Sequence, residues 1–198
     1  INDADVIFLV VKPWLVSDVL SNLKFTESQT LVSVAAGVDI QDIESFLNKS
    51  ITIYRMIPNT AISELASVNL LAIHNAPESL THALLAVLEE MGMAMLIPEN
   101  QLGAATALTS CGIAYVFKYI EAASRAGVEL GIYPKDAMRM VAKSVEGAEK
   151  IILNNDTHPS LEIDKVTTPG GITIKGINEL EHAGFDSAII RAMKISSK

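Results

Sequence analysis

The sequence predicts an open α/β sheet with crossover helices, followed by an all-helical half. Three observations carry that reading. The first hundred residues alternate short β-branched runs with apolar residues at helical spacing, the rhythm of strand–helix–strand units. No strand-like run follows Ile97. The chain has 198 residues, 49% of them apolar, which is enough to bury a core without covalent staples.

The elements follow in order. Val6–Val11 is a continuous apolar run closed by Lys12-Pro13, and it reads as a strand buried on both faces. Trp14–Leu23 places Trp14, Leu15, Val19, Leu20 and Leu23 at helical spacing. Leu31–Ala35 is a second strand, ended by Gly37, and Asp39 is the N-cap expected for a helix through Ile43 and Leu47. Ile51–Met56 and Val68–His74 are strands three and four. Pro77 opens a helix over 78–91, and Met93–Ile97 is a fifth short strand before Pro98. From there the composition shifts: residues 99–130 hold no proline and many glycines and alanines, as one or two closely packing helices would. Pro134 starts another helix, ended by Asn154-Asn155-Asp156; His158-Pro159 leads a short one. Two more are expected at Thr173–His182 and Asp186–Ser196. The expected domains are therefore 1–97 and 98–198.

Charge and composition narrow the function. Twenty-three acidic against 15 basic side chains give a net charge of −8, which repels phosphate backbones and argues against nucleic acid as a partner. A single cysteine, Cys111, excludes an internal disulfide and fits a reducing, cytoplasmic setting. The apolar runs are far too short to span a bilayer, so no membrane association is expected. The chain opens at Ile1 without methionine and enters a strand-like run almost at once. An amino-terminal segment is expected to be missing.

No G-x-G-x-x-G run follows a strand, although nucleotide-binding βαβ units usually carry one. His74, His82, His158 and His182 are scattered, so no metal site is expected. Cys111 reads as a small hydrophobe rather than a nucleophile. Two segments ask for more. Thr167-Thr168-Pro169-Gly170-Gly171-Ile172-Thr173 sets hydroxyls around a turn that opens a helix. It is either an anion site at the positive end of the helix dipole or an ordinary cap by Thr168. Arg55-Met56-Ile57-Pro58-Asn59-Thr60 lies at the carboxyl end of a strand, where open α/β sheets bind ligands. It is equally readable as a turn built on Pro58-Asn59.

Taken in order, these residues resemble the pyrroline-5-carboxylate reductase family. The matching stretches are Ala4-Asp5-Val6 through Pro13, Val34–Val38, Met56 through Thr60, and Ala107-Leu108 through Gly112 and Ala114–Phe117. The most specific is Val166–Gly176, followed by Leu180-Glu181 and Gly184-Phe185. The resemblance covers nearly the whole chain. It implies a Rossmann-type NAD(P)H domain, its first βαβ portion missing here, and an all-α dimerisation domain that interlocks with a second copy. It further implies an active site between the cofactor domain and the helices of the dimer. The glycine fingerprint would lie upstream of the position matching Ile1, so residues 1–198 alone are not expected to bind the cofactor unaided.

Carried over position by position, Val10, Val11, Lys12 and Pro13 border the nicotinamide nucleotide. Val34, Ala35 and Ala36 form a second cofactor-lining turn, with Ala36 near the substrate, and Asn59 is assigned to the cofactor. Glu99 lies close to the substrate. Thr168, Gly170, Gly171, Ile172 and Thr173 hold the substrate carboxylate and face its ring nitrogen, with Thr173 as the catalytic group. Three departures stand out: Ile113 where proline is usual, Lys165 where Asn is common, and Ala61 for proline. Replacing proline by Ile113 should straighten the helix rather than break it.

The implied reaction is hydride transfer from NADPH or NADH to the C=N bond of 1-pyrroline-5-carboxylate, giving L-proline. Such chemistry demands positioning more than acid–base groups, in keeping with a sequence that shows no His or Asp cluster. A related imine or β-hydroxyacid reductase, or a non-catalytic dimerising paralogue, are the alternatives. A homodimer is expected, with higher assembly left open, because the small-residue helices carry an apolar stripe of Val116, Ile120 and Ala123.

Overall fold

Short apolar runs closed by glycine or proline become five strands: β1 (Val6–Leu9), β2 (Thr30–Ser33), β3 (Thr52–Ile57), β4 (Ser67–His74) and β5 (Gly92–Leu96). The computed structural model describes residues 1–197. The strands form one sheet in chain order, β1-β2-β3-β4-β5. β1, β2 and β3 run parallel, β4 is antiparallel to β3, and β5 is parallel to β4. The reversal has a simple cause. Pro58 to Ala66 holds only a 3₁₀ turn, Thr60–Glu64, and so short a link permits an antiparallel return but no crossover. The parallel pairs are joined through α1 (Val16–Ser21), α2 (Ile40–Ser45) and α3 (Glu78–Glu89).

Alternation along the strands separates two cores. Leu31 and Ile53 face α1 and α2, packing with Val16, Leu20, Ile40 and Ile43. Val32, Tyr54 and Leu71 point to the other side, against Leu84 and Leu88 of α3. Tyr54 is fully buried, and its hydroxyl lies 2.8 Å from that of Thr81. Thr81 donates its own proton to Pro77 O, so the phenol donates to Thr81 and no buried hydroxyl is left unpaired. Asp39 caps α2 as expected, accepting from Asp42 N at 2.8 Å.

Two expectations fail at the first strand and its helix. β1 is an edge strand, and Phe8 and Val10 are 47% and 71% exposed, so the run is not buried on both faces. Among the described residues no helix covers the Phe8 side of that edge. Pro13–Leu15 is a 3₁₀ turn rather than the start of the helix. Its three-residue period swings Trp14 outward, and the indole is exposed.

The remaining elements are helical: α4 (Leu102–Thr106), a π-helical turn at Ala107–Cys111, α5 (Gly112–Glu129), α6 (Pro134–Asn155), α7 (Pro159–Val166), α8 (Ile172–His182) and α9 (Phe185–Ser196). The helix runs on through Ile113, with the π turn immediately before it. That turn is fastened by side chains. Asn59 Nδ2 donates to Thr109 O at 3.2 Å, and Ser110 Oγ donates to Pro58 O at 3.2 Å.

The chain forms two compact units, one of Ile1–Gly112 with Ser196 and Ser197, the other of Ile113–Ile195. The composition changes at Pro98, but Leu102 is buried with Ile57, Leu70 and Ala72, so this stretch packs with the sheet. The second unit covers little of its apolar surface by itself. Ala137 is its one buried hydrophobic residue among those described, while Phe117 and Met138 are exposed. An apolar groove of about 710 Å³ lies between α5 and α6, lined by Phe117, Ile120, Val128 and Met138.

Gly92 opens β5 at φ +130°, where an added Cβ would lie 2.1 Å from Ser67 O. Gly92→Ala should therefore cost about 2–4 kcal/mol through strain and overlap with backbone. A urea titration of the variant beside the parent chain measures that loss.

Candidate active site

Because β1, β2 and β3 are parallel, their carboxyl ends share one edge, where open sheets receive ligands. At β1, Lys12 is extended and Pro13 begins the 3₁₀ turn. At β2, Val34 N donates to Leu9 O at 3.0 Å, prolonging the ladder past the strand. Gly37, at φ +77°, then turns the chain into Asp39 and α2. Val10, Lys12, Ala36 and Gly37 are exposed, Val11, Pro13 and Val34 are half-buried, and Ala35 is buried. The edge thus offers small and apolar surface, with Lys12 as its flanking cation. Those residues fit a flat, uncharged ring better than a metal ion. Among the described residues no cluster of His, Cys, Asp or Glu could hold a metal.

Asn59 lies at the end of β3, buried, with its amide engaged. Oδ1 accepts from Ala61 N at 3.0 Å and Nδ2 reaches Thr109 O. Pro58-Asn59 therefore builds the turn that opens the link to β4.

Sequence reasoning did not find Arg55 as the partner of Glu99. Glu99 follows Pro98 in a 3₁₀ turn. Its Oε1 accepts from Arg55 Nη1 at 2.6 Å and from Ile40 N at 2.7 Å. The Arg55 side chain is 10% exposed and that of Glu99 33%. Arg55 fits because its neighbours in the sheet are Ser33 and Ala72, two small residues that leave room for a guanidinium. A large buried cation beside small strand partners was the available signal.

The second unit holds the Pro-Gly-Gly turn. Gly171 N donates to Thr168 O at 2.9 Å, and Gly170 sits at φ +73°, the arrangement of a turn with a left-handed third residue. Gly171 is the N-cap of α8, with no side-chain cap. The reading of Thr168 as an ordinary helix cap is thereby corrected. The tight turn leaves Thr168 three residues before the helix's cap position. Gly171 has its own reason: a Cβ there would meet Thr168 Oγ1 at 2.7 Å. Its N–H is committed to the turn, so the amides of Ile172 and Thr173 form the open end of α8. Ile172 is 86% exposed, and Thr168 and Thr173 are exposed beside it. This is an amino end with donors and hydroxyls and no internal acceptor in place.

The helix leading into that turn is anchored. Glu162 of α7 accepts from Thr157 at 2.6 Å and from Lys165 at 2.7 Å. The hydrogen bonds from Lys165 and then Thr157 hold its carboxyl below the ordinary value, against a smaller opposing effect of burial. Lys165, where the family often has Asn, is thus occupied locally.

The family model described as pyrroline-5-carboxylate reductase dimerisation matches residues 99–198. Pyrroline-5-carboxylate reductase 1 of Dictyostelium discoideum is 38% identical over all of this chain, which spans 38% of that protein. The reductase of Methanosarcina acetivorans is 37% identical, again over the whole chain and 76% of its own length. The crystal structure of Plasmodium falciparum pyrroline carboxylate reductase with NADP bound superposes with a TM-score of 0.90. It shares 26% identity over 98% of this chain and 75% of that one.

An open sheet followed by a helical unit is the two-part plan of the solved reductase with which the chain superposes. Within that class the chain belongs to the pyrroline-5-carboxylate reductase family.

Gly170→Ala places a Cβ in the left-handed region and should cost about 1–2 kcal/mol. Thermal unfolding is the check, with a lower midpoint expected.

Proposed function

We propose that the chain performs the reaction of its family, hydride transfer from NAD(P)H to the C=N bond of 1-pyrroline-5-carboxylate, yielding L-proline. The observation that carries this is the uncapped amino end of α8 beside Thr168 and Thr173. It is the anion-binding feature that a small ring bearing a carboxylate requires. Residues 1–97 serve the cofactor and residues 98–198 serve substrate and dimer formation. The exposed apolar faces of the second unit support a homodimer. A single thiol at Cys111 supports a cytoplasmic setting, and no described helix is long and apolar enough to cross a membrane.

Val10, Val11, Lys12, Pro13, Val34, Ala35 and Ala36 hold and screen the nicotinamide nucleotide, which when bound supplies the hydride. Asn59 acts at that edge by fixing the turn after β3 rather than through a free amide. Gly170, Gly171 and Ile172 shape the turn whose neighbouring amides receive the substrate carboxylate. The Thr173 hydroxyl hydrogen-bonds the ring nitrogen and orients the imine carbon. The hydride forms the new C–H bond while the C=N π pair moves to nitrogen, which keeps its proton as the ring amine. The protonated imine is electrophilic already, so geometry and exclusion of water supply most of the acceleration.

Assays of the full-length protein with NADPH and NADH should show turnover of 1-pyrroline-5-carboxylate above six-membered cyclic imines. Thr173→Ala should lower kcat/KM roughly ten- to a thousand-fold, about 1.4–4 kcal/mol of transition-state stabilisation. Its melting temperature should stay near that of the parent, since Thr173 does not cap α8. Unchanged kinetics would remove Thr173 from the site.

A further inference from the structure

Arg55 has no role in the chemistry set out above, yet it is among the most buried charged side chains of the chain. Burying a guanidinium is expensive unless it is paired and hydrogen-bonded. Here the pairing does more than neutralise charge. One oxygen of Glu99 receives both Arg55 Nη1 and the backbone N–H of Ile40. Ile40 is the first residue of α2, separated from the turn 34–38 at the carboxyl edge only by the N-cap Asp39. Asp39 secures a further open donor of the same helix, Asp42 N. The turn is therefore held at its start by the β2 ladder through Val34 N and at its end by Glu99. Arg55, rigid in the middle of β3, sets where that Glu99 oxygen sits.

We infer that Arg55 is a positioning residue: through Glu99 and Ile40 N it fixes the turn 34–38 against which the nicotinamide nucleotide binds. The inference rests on the reading of that edge as the cofactor site. Three segments far apart in the chain meet at one carboxylate oxygen, and the one that leads back to the cofactor edge is the start of α2. Ala35 and Val38 pack the turn into the core below, while Gly37, at φ +77° with nothing within 4 Å of an added Cβ, leaves its outer side to the restraints at its two ends. Losing the Arg55 contact leaves Glu99 free to rotate away and the amino end of α2 without its acceptor. The consequence is a looser cofactor edge. Thr173 belongs to the other compact unit.

The experiment compares full-length parent, Arg55→Lys, Arg55→Met and Glu99→Gln by steady-state kinetics and by amide hydrogen exchange. For Arg55→Met, KM for NADPH should rise about fivefold or more while kcat at saturating cofactor stays within about twofold. Arg55→Lys, which keeps a donor, should recover most of the loss. Exchange at residues 34–42 should quicken in Arg55→Met while the strand amides of β2 and β3 stay protected, a local opening rather than global unfolding. If Arg55→Met does not fold, Glu99→Gln carries the hydrogen-exchange arm of the test alone, because Glu99 is also assigned to the substrate and its kinetics would mix the two roles. Unchanged KM with unchanged exchange at 34–42 overturns the inference. So does exchange that rises equally in all strands, which marks a purely structural pair. Should the parent fail to reduce 1-pyrroline-5-carboxylate, the functional reading falls, while the exchange data still decide whether Arg55 holds the turn.

Discussion

A guanidinium set inside a β-sheet must find a carboxylate, and that requirement ties together the first unit of this chain. Arg55 lies between Ser33 and Ala72 on the face that carries α1 and α2. Leucine at either neighbouring position would fill the space it occupies. Its counter-ion comes from Glu99, 44 positions later, in the turn that follows the last strand. The ion pair therefore closes the sheet's long-range topology as well as its charge. On one side of it lies the cluster around Leu31 and Ile53, on the other the cluster of Ile57, Leu70, Ala72 and Leu102. A polar junction between two apolar clusters resists sliding, because any shift leaves a buried charge unpaired.

The second unit obeys a different constraint. Its helices are amphipathic but bury almost nothing within one chain, leaving Phe117, Met138 and Ile190 among the exposed apolar residues. Exposed apolar surface on this scale marks an association site. The family's dimerisation region begins at residue 99, whereas the compact unit begins at Ile113. Both boundaries have physical sense. Family likeness follows the chain's composition, and compactness follows Leu102, which is drawn into the sheet's core. Between them lies the π turn, pinned by Asn59 and Ser110.

The Pro-Gly-Gly turn shows how local chemistry prepares a site. Gly170 supplies the left-handed conformation, and Gly171 lets the backbone pass so close to Thr168 that a Cβ there would force the threonine hydroxyl and carbonyl to shift. The price of that tightness is one amide, used within the turn. What remains is an open helix end flanked by two hydroxyls and an exposed Ile172.

Sequence alone determined the five strands, their helical connections, the all-helical half and the Pro-Gly-Gly block, because periodicity, Gly, Pro and capping residues act within a few positions. It carried the first two strands on through Val11 and Ala35, whereas they end at Leu9 and Ser33, and it set the Pro-Gly-Gly turn directly before a helix, as the structure has it. Tertiary structure decided the rest. It reversed β4, since the length of a link constrains direction only when the strands pair. It turned Trp14 outward, since a 3₁₀ turn stands where the periodicity alone starts a helix. It joined Arg55, Glu99 and Ile40 at one oxygen, because a buried charge selects its partner in space, and no periodicity in the chain connects positions 40, 55 and 99.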